Sequence, residues 1–198
     1  MDYDTDDDDC SNCSDVGSVD ELNPNTLDLT TGDFSAINTQ LFSVLAYNIN
    51  SITATSKKDV LESMAHELNL DIIALTETKL SDSVQESVYT IPGYTIINKN
   101  RDRKGGGVML YIRNDHAFIR QEKMEMKEHI SIDCIVNGKK INVNVIYRPP
   151  SRTTDAQTSK EEDDKFIKDI HKTLGKIRSH RASNKIICGD LNLSLIHI

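Results

Sequence analysis

The chain has 198 residues, 37% hydrophobic and 27% charged, enough for one domain with its own core. No apolar run reaches the roughly 18 residues of a membrane-spanning helix, and no secretory signal is expected from an acidic start. The formal charge of −8 hides two opposed parts. Residues 1–40 hold eleven Asp or Glu and no Lys or Arg, and removing that −11 leaves +3 on residues 41–198. A mildly basic body suits a polyanionic partner, but +3 is a weak signal.

Residues 1–40 are rich in Asp, Ser, Asn and Thr, and read as a disordered acidic leader. Cys10 and Cys13 have C-x-x-C spacing without a second pair to complete a tetrahedral zinc site, so they read as thiols in the leader. Cys134 and Cys188 sit in apolar runs and read as reduced core residues, which suits an intracellular compartment. Residues 41–47 form a candidate strand. Lys57 to Leu70 reads as an amphipathic helix with Val60, Leu61, Met64, Ala65 and Leu68 on one face and Ser56 as N-cap. Residues 71–76 are a nearly continuous apolar run, as in a buried strand.

Candidate strands at 94–98 and 108–113 follow, joined by a loop containing Gly105-Gly106-Gly107. This glycine run lacks the Lys-Ser/Thr of a phosphate loop and reads as a tight turn. Residues 130–136 and 140–147 flank Asn137-Gly138, a type I′ hairpin signal. Pro149-Pro150 ends the second of these strands. A helix is expected over 161–179, with Phe166, Ile167, Ile170, Leu174 and Ile177 on its apolar face. Its acidic start and its Lys172, Lys176 and Arg178 complement the helix dipole. One more buried strand is expected at 185–189. This mixture of strands, hairpins and helices indicates an α/β or α+β sheet domain.

The apolar runs end in polar groups able to do chemistry. The first ends in Asn48 and Asn50, the second in Glu77, the hairpin in Tyr147 and Arg148, and the last in Asp190 and Asn192. Strand ends are where a rigid sheet presents side chains to a cleft. Asp190 and Asn192, two apart, point the same way in an extended segment. Glu77 directly follows Ile-Ile-Ala-Leu-Thr, a costly place for a carboxylate unless it is paired or metal-bound.

Taken in order, Tyr47-Asn-Ile-Asn-Ser-Ile52, Leu75-Thr-Glu-Thr-Lys79, residues 105–113, Ile146-Tyr-Arg-Pro-Pro150 and Cys188-Gly-Asp-Leu-Asn192 resemble the endonuclease/exonuclease/phosphatase superfamily. The details look closest to the apurinic/apyrimidinic-type endonuclease domain of non-LTR retrotransposons. The resemblance covers residues 41–193 and implies a four-layer αββα sandwich, C-terminally truncated. It implies Mg²⁺, or Mn²⁺ in its place, held by Glu77 with Asn48. It gives Tyr147 and Asn192 to the scissile phosphate and Asp190 to the attacking water. Asn50, Arg101, Arg103, Lys104, Arg113 and Arg148 become candidate DNA contacts. A nuclear location and a downstream reverse-transcriptase region are expected with it.

The family's later motifs, including an Asp and a Ser-Asp-His-type ending, have no counterpart after Asn192. His197 lacks their context, and residues 194–198 read as a non-native tail. The fragment is therefore expected to cleave DNA poorly by itself. Two rival readings stay open. One is a phosphodiesterase or phosphatase of the same superfamily acting on lipid or inositol phosphates. The other is a non-catalytic, domesticated fragment that binds nucleic acid or protein.

Overall fold

The computed structural model describes residues 41–101, 105–150 and 155–192. The acidic leader, its Cys10 and Cys13, the candidate contacts Arg103 and Lys104, His197 and the 194–198 tail lie outside the described residues.

Two four-stranded sheets stack face to face. In the first, β1 (Val44–Asn48), β2 (Ile72–Thr76), β4 (Val108–Arg113) and β3 (Tyr94–Lys99) lie in that order. β1 and β2 are parallel, and the other pairings are antiparallel. In the second, β5 (Ala117–Arg120), β6 (His129–Val136), β7 (Lys139–Tyr147) and β8 (Asn184–Asp190) follow one another, with β7 and β8 parallel. The inner faces alternate as a period of two requires. Ile72, Ala74, Val108, Leu110 and Ile112 meet Ile130, Ile132, Cys134, Ile141, Val143 and Val145. Asn137 and Gly138 both have positive φ (49° and 73°), as a type I′ turn between β6 and β7 needs.

One helix covers the outer face of each sheet, giving the α+β sandwich that the sequence implies. α1 (Thr55–Glu67) lies over the first, where the Tyr94 hydroxyl donates to the carbonyls of Ala65 (3.1 Å) and Leu70 (2.6 Å). α1 differs from expectation at both ends. Its N-cap is Ala54, because the Lys57 and Lys58 amides bond back to the Ala54 carbonyl, and Ser56 falls inside the helix. It stops at Glu67 because Asn69 turns left-handed (φ 47°) and closes the end. Val60, expected on the apolar face, is exposed.

α2 (Ala156–Ser179) starts five residues earlier than expected. The Asp155 side chain caps it by accepting from the Thr158 amide at 2.8 Å, and no acidic residue falls in the first turn. Its buried stripe is Ile170, Thr173 and Ile177, while Ile167 and Leu174 are exposed.

β8 is also less buried than expected. It is the last strand of its sheet, so its residues alternate between half-buried and exposed, with Ile187 outward. Conversely, the polar alternation of β7 is fully buried. Asn142 donates to Asp133 (3.0 Å), and Asn144 donates to Asn142 (2.7 Å) and faces His129 (3.2 Å). This ladder satisfies the buried amides and ties β6, β7 and β8 together. Cys134 and Cys188 are free thiols whose ionisation burial pushes up to about 11.

Candidate active site

Both parallel pairs, β1/β2 and β7/β8, end on the same edge of the sandwich, and the two pairs lie against each other. Parallel strands finish together, so four strand-end side chains converge. Asn48 ends β1, Glu77 follows β2, Tyr147 ends β7 and Asp190 ends β8.

Asn48 joins the sheets. Its Nδ2 donates to Glu77 Oε1 (3.1 Å) and to Asp190 Oδ2 (2.9 Å), while its Oδ1 accepts from the Asn50 amide (3.1 Å). That network fixes which end of the amide is nitrogen. The Tyr147 hydroxyl also donates to Glu77 Oε1 (3.0 Å). Burial first, then the bonded Glu77 carboxylate, raise the ionisation of Tyr147 far above the usual phenol range. Tyr147 therefore keeps its proton at neutral pH and acts as a hydrogen-bond donor.

Asp190 Oδ1 accepts from the Asn192 amide (3.0 Å), and Asn192 Nδ2 donates to the Arg148 carbonyl (2.7 Å). Gly189 lets β8 come this close. A Cβ there would sit 1.9 Å from the Ile146 carbonyl oxygen, and φ is +128°. Gly107 serves the other side, because its Cβ would meet Thr78 Oγ1 at 2.5 Å. The glycine run is thus a close approach of chains as well as a turn.

The other sequence-derived candidates separate. Arg148 lies beside the site, paired with Asp163, over the Phe166 ring at 5.4 Å and bonded to the Asn192 carbonyl at 3.3 Å. Arg101 is held by Glu128 (3.5 Å) at the rim of a roughly 330 Å³ cleft that Tyr147 and Arg148 also line. Asn50 borders the site through Asn48. Arg113 does not join them. β4 runs antiparallel to β2, so Arg113 emerges at the opposite edge, paired with Asp71 (2.7 Å) and Asp115 (2.9 Å).

Two residues escaped the sequence reading. Lys79 approaches Glu77 Oε2 at 3.7 Å and donates to Asn50 Oδ1. Its position two residues after Glu77 was a usable signal, the same spacing that links Asp190 and Asn192. Glu128 accepts from the Gly107 amide (3.0 Å), and its carbonyl accepts from the Tyr147 amide (2.8 Å), tying the glycine loop to the second sheet. Burial leads in raising its ionisation. Nothing in its polar sequence context marked it.

The donor set fits a hard divalent cation. Two carboxylates share one amide donor group, which concentrates negative charge, and Glu77 Oε2 has no hydrogen-bond donor among the described residues. No group of three or more His, Cys, Asp or Glu placed to hold a metal occurs among the described residues. A hard cation such as Mg²⁺ keeps several waters and takes one or two carboxylates.

Known structures share this fold. An AP endonuclease from Archaeoglobus fulgidus aligns with TM-score 0.56 and 20% identity over 77% of this chain and 58% of its own. An AP endonuclease from Leishmania major gives 0.58 and 16% over 76% and 55%. The endonuclease domain of TRAS1, a telomere-specific non-LTR retrotransposon, gives 0.55 and 14% over 79% and 61%. The chain thus spans less than two thirds of the length of each. Residues 45–198 match the Endonuclease/Exonuclease/phosphatase family, and the chain belongs to that family.

Proposed function

We propose that this chain carries the metal-binding and phosphate-positioning part of a Mg²⁺-dependent DNA-nicking endonuclease of the retrotransposon type. The observation that carries the reading is the convergence of Asn48, Glu77, Tyr147 and Asp190 through direct hydrogen bonds. Arg101 and Arg148 line the adjoining cleft and would reach a polyanion by exchanging their partners Glu128 and Asp163.

Glu77 Oε2 and the second lone pair of Asn48 Oδ1 are the oxygens available to the cation. A bound Mg²⁺ supplies charge neutralisation on the phosphate and a more acidic water. Asp190, oriented by Asn48 and Asn192, accepts the proton of the water that attacks phosphorus. The Tyr147 hydroxyl, held neutral by its surroundings, turns from Glu77 Oε1 to donate to a phosphate oxygen as charge builds there. The Asn192 amide reaches the same phosphate once it exchanges its bond to Arg148. The leaving oxygen needs a proton donor. No histidine among the described residues hydrogen-bonds to Glu77, Tyr147 or Asp190; His116, His129 and His180 are engaged with Asp71, Asn144 and Asp133. We expect nicking by this chain to be weak and to rise when a proton donor for the leaving oxygen is supplied.

The test is a substrate panel of supercoiled plasmid, phospholipid and inositol phosphates, with Mg²⁺. It is run on this chain and on the chain extended by its downstream coding sequence. The expected result is DNA nicking that is weak in the first, strong in the second and lost with Glu77→Gln. Preference for a lipid or inositol phosphate overturns the DNA reading, and nicking that survives Glu77→Gln overturns the site.

A further inference from the structure

Glu77 has two unlike carboxylate oxygens. Oε1 accepts from Asn48 (3.1 Å) and Tyr147 (3.0 Å). Among the described residues, Oε2 faces only the Lys79 ammonium, at 3.7 Å. That ammonium is anchored, because it donates to Asn50 Oδ1. Both side chains are mostly enclosed, at 27% exposure for Lys79 and 20% for Glu77.

The backbone between them is gripped from both sides. The Ser51 and Ile52 amides donate to the carbonyls of Glu77 (2.8 Å) and Thr78 (3.1 Å). The Thr78 and Lys79 amides donate to the carbonyls of Gly107 (3.3 Å) and Gly106 (3.0 Å). Glu77 and Lys79 both adopt left-handed φ (55° and 51°), which sends the two side chains out together and fixes the pairing. Only the flexible lysine stem can yield.

We propose that Lys79 is an internal counter-ion for Glu77, and that a divalent cation loads by displacing its ammonium from Oε2. This rests on the metal-dependent reading above and extends it. Without the cation, Lys79 keeps the carboxylate paired and in place. Two cations crowded at Oε2 repel each other, so Lys79 lowers the affinity of the site for metal. At this distance, in a partly screened site, the effect is about tenfold. Lys57 is not part of the exchange: its ammonium is bound to the main-chain carbonyls of Ile49 and Asn50 (both 2.7 Å).

The experiment is titration of the purified chain with Mn²⁺, reading free ion by electron paramagnetic resonance. Lys79→Met should bind Mn²⁺ about tenfold more tightly than wild type, and Lys79→Arg should stay close to wild type. Lys172→Met, which removes the same charge from the exposed side of α2, should change nothing. Glu77→Gln should abolish binding. A purely structural lysine gives the opposite sign, since losing it would loosen Glu77 and weaken binding. Equal or weaker binding by Lys79→Met, with Glu77→Gln still abolishing it, overturns the counter-ion and leaves the metal site standing. Wild-type binding by Glu77→Gln overturns both. If circular dichroism shows Lys79→Met unfolded, Lys79→Gln replaces it with the same outcomes. Lysine ε-carbon NMR of the wild-type chain gives a reading without any variant: Mg²⁺ shifts one resonance, and no shift overturns the proposal.

Discussion

Strand β2 is bracketed by two carboxylates, Asp71 immediately before it and Glu77 immediately after, and their surroundings differ. Asp71 is saturated. Its Oδ2 accepts from the Ser43 amide (2.6 Å) and hydroxyl (3.0 Å), and its Oδ1 meets His116 (2.6 Å) and Arg113 (2.7 Å). Glu77 is bonded at one oxygen and open at the other apart from a lysine. A carboxylate with every lone pair committed holds elements together. One with a lone pair withheld, in a strained backbone, is placed to bind. At the Asp71 end, Arg113 closes β4, His116 lies in the β4–β5 connection and Ser43 precedes β1, so the cluster ties neighbouring strands of the first sheet together.

Each end of β2 can be perturbed separately. The largest effect expected is on chemistry: Glu77→Gln in the extended chain lowers Mg²⁺-dependent nicking by about a hundredfold to a thousandfold. Its unfolding free energy in urea moves by less than about 1 kcal/mol, because Asn48 and Tyr147 keep an acceptor. Asp71→Ala reverses the pattern. It removes a shared partner from Ser43, Arg113 and His116 and lowers stability by about 3 kcal/mol by urea titration, while Mn²⁺ affinity stays at the wild-type value. Arg113→Ala sharpens the point with a smaller loss, about 1–2 kcal/mol, since Asp71 keeps Ser43 and His116. A fall in DNA affinity for Arg113→Ala would return that residue to the binding surface.

The smallest effect concerns Glu128. Its ionisation is raised in the fold, so its protonated form favours the folded state below the ordinary carboxylate value of 4.5. That contribution is lost as pH rises through the higher folded value. Glu128→Gln should therefore match wild type in acid and become the more stable protein toward neutrality. A gap that widens instead as pH falls contradicts the burial cause.

Much of the architecture was legible because apolar runs with sharp ends mark strands, and their ends mark the edge where Asn48, Glu77, Tyr147 and Asp190 meet. What sequence did not carry was direction in space. Arg113 follows an apolar strand just as Glu77 does, yet β4 runs the other way and delivers it to the far edge. β5 has only four residues, too short for a periodic signal. Asn142 and Asn144 look like a solvent face and are instead fully buried, a tertiary outcome that local alternation cannot foretell. Lys79 lay inside a motif already noticed, and its partner oxygen became visible only with the fold.

Two hydrogen bonds at the site, Asn48 to Asp190 and Tyr147 to Glu77, each cross from one sheet to the other. They therefore work as a gauge on the spacing of the sandwich, set by interior volume at positions such as Leu110 and Val143. A missing methyl group deep between the sheets changes that spacing by fractions of an ångström, little for folding and much for reacting atoms. Selection on turnover would then police side-chain size across the interior, and loss-of-function alleles would map to positions that touch no substrate.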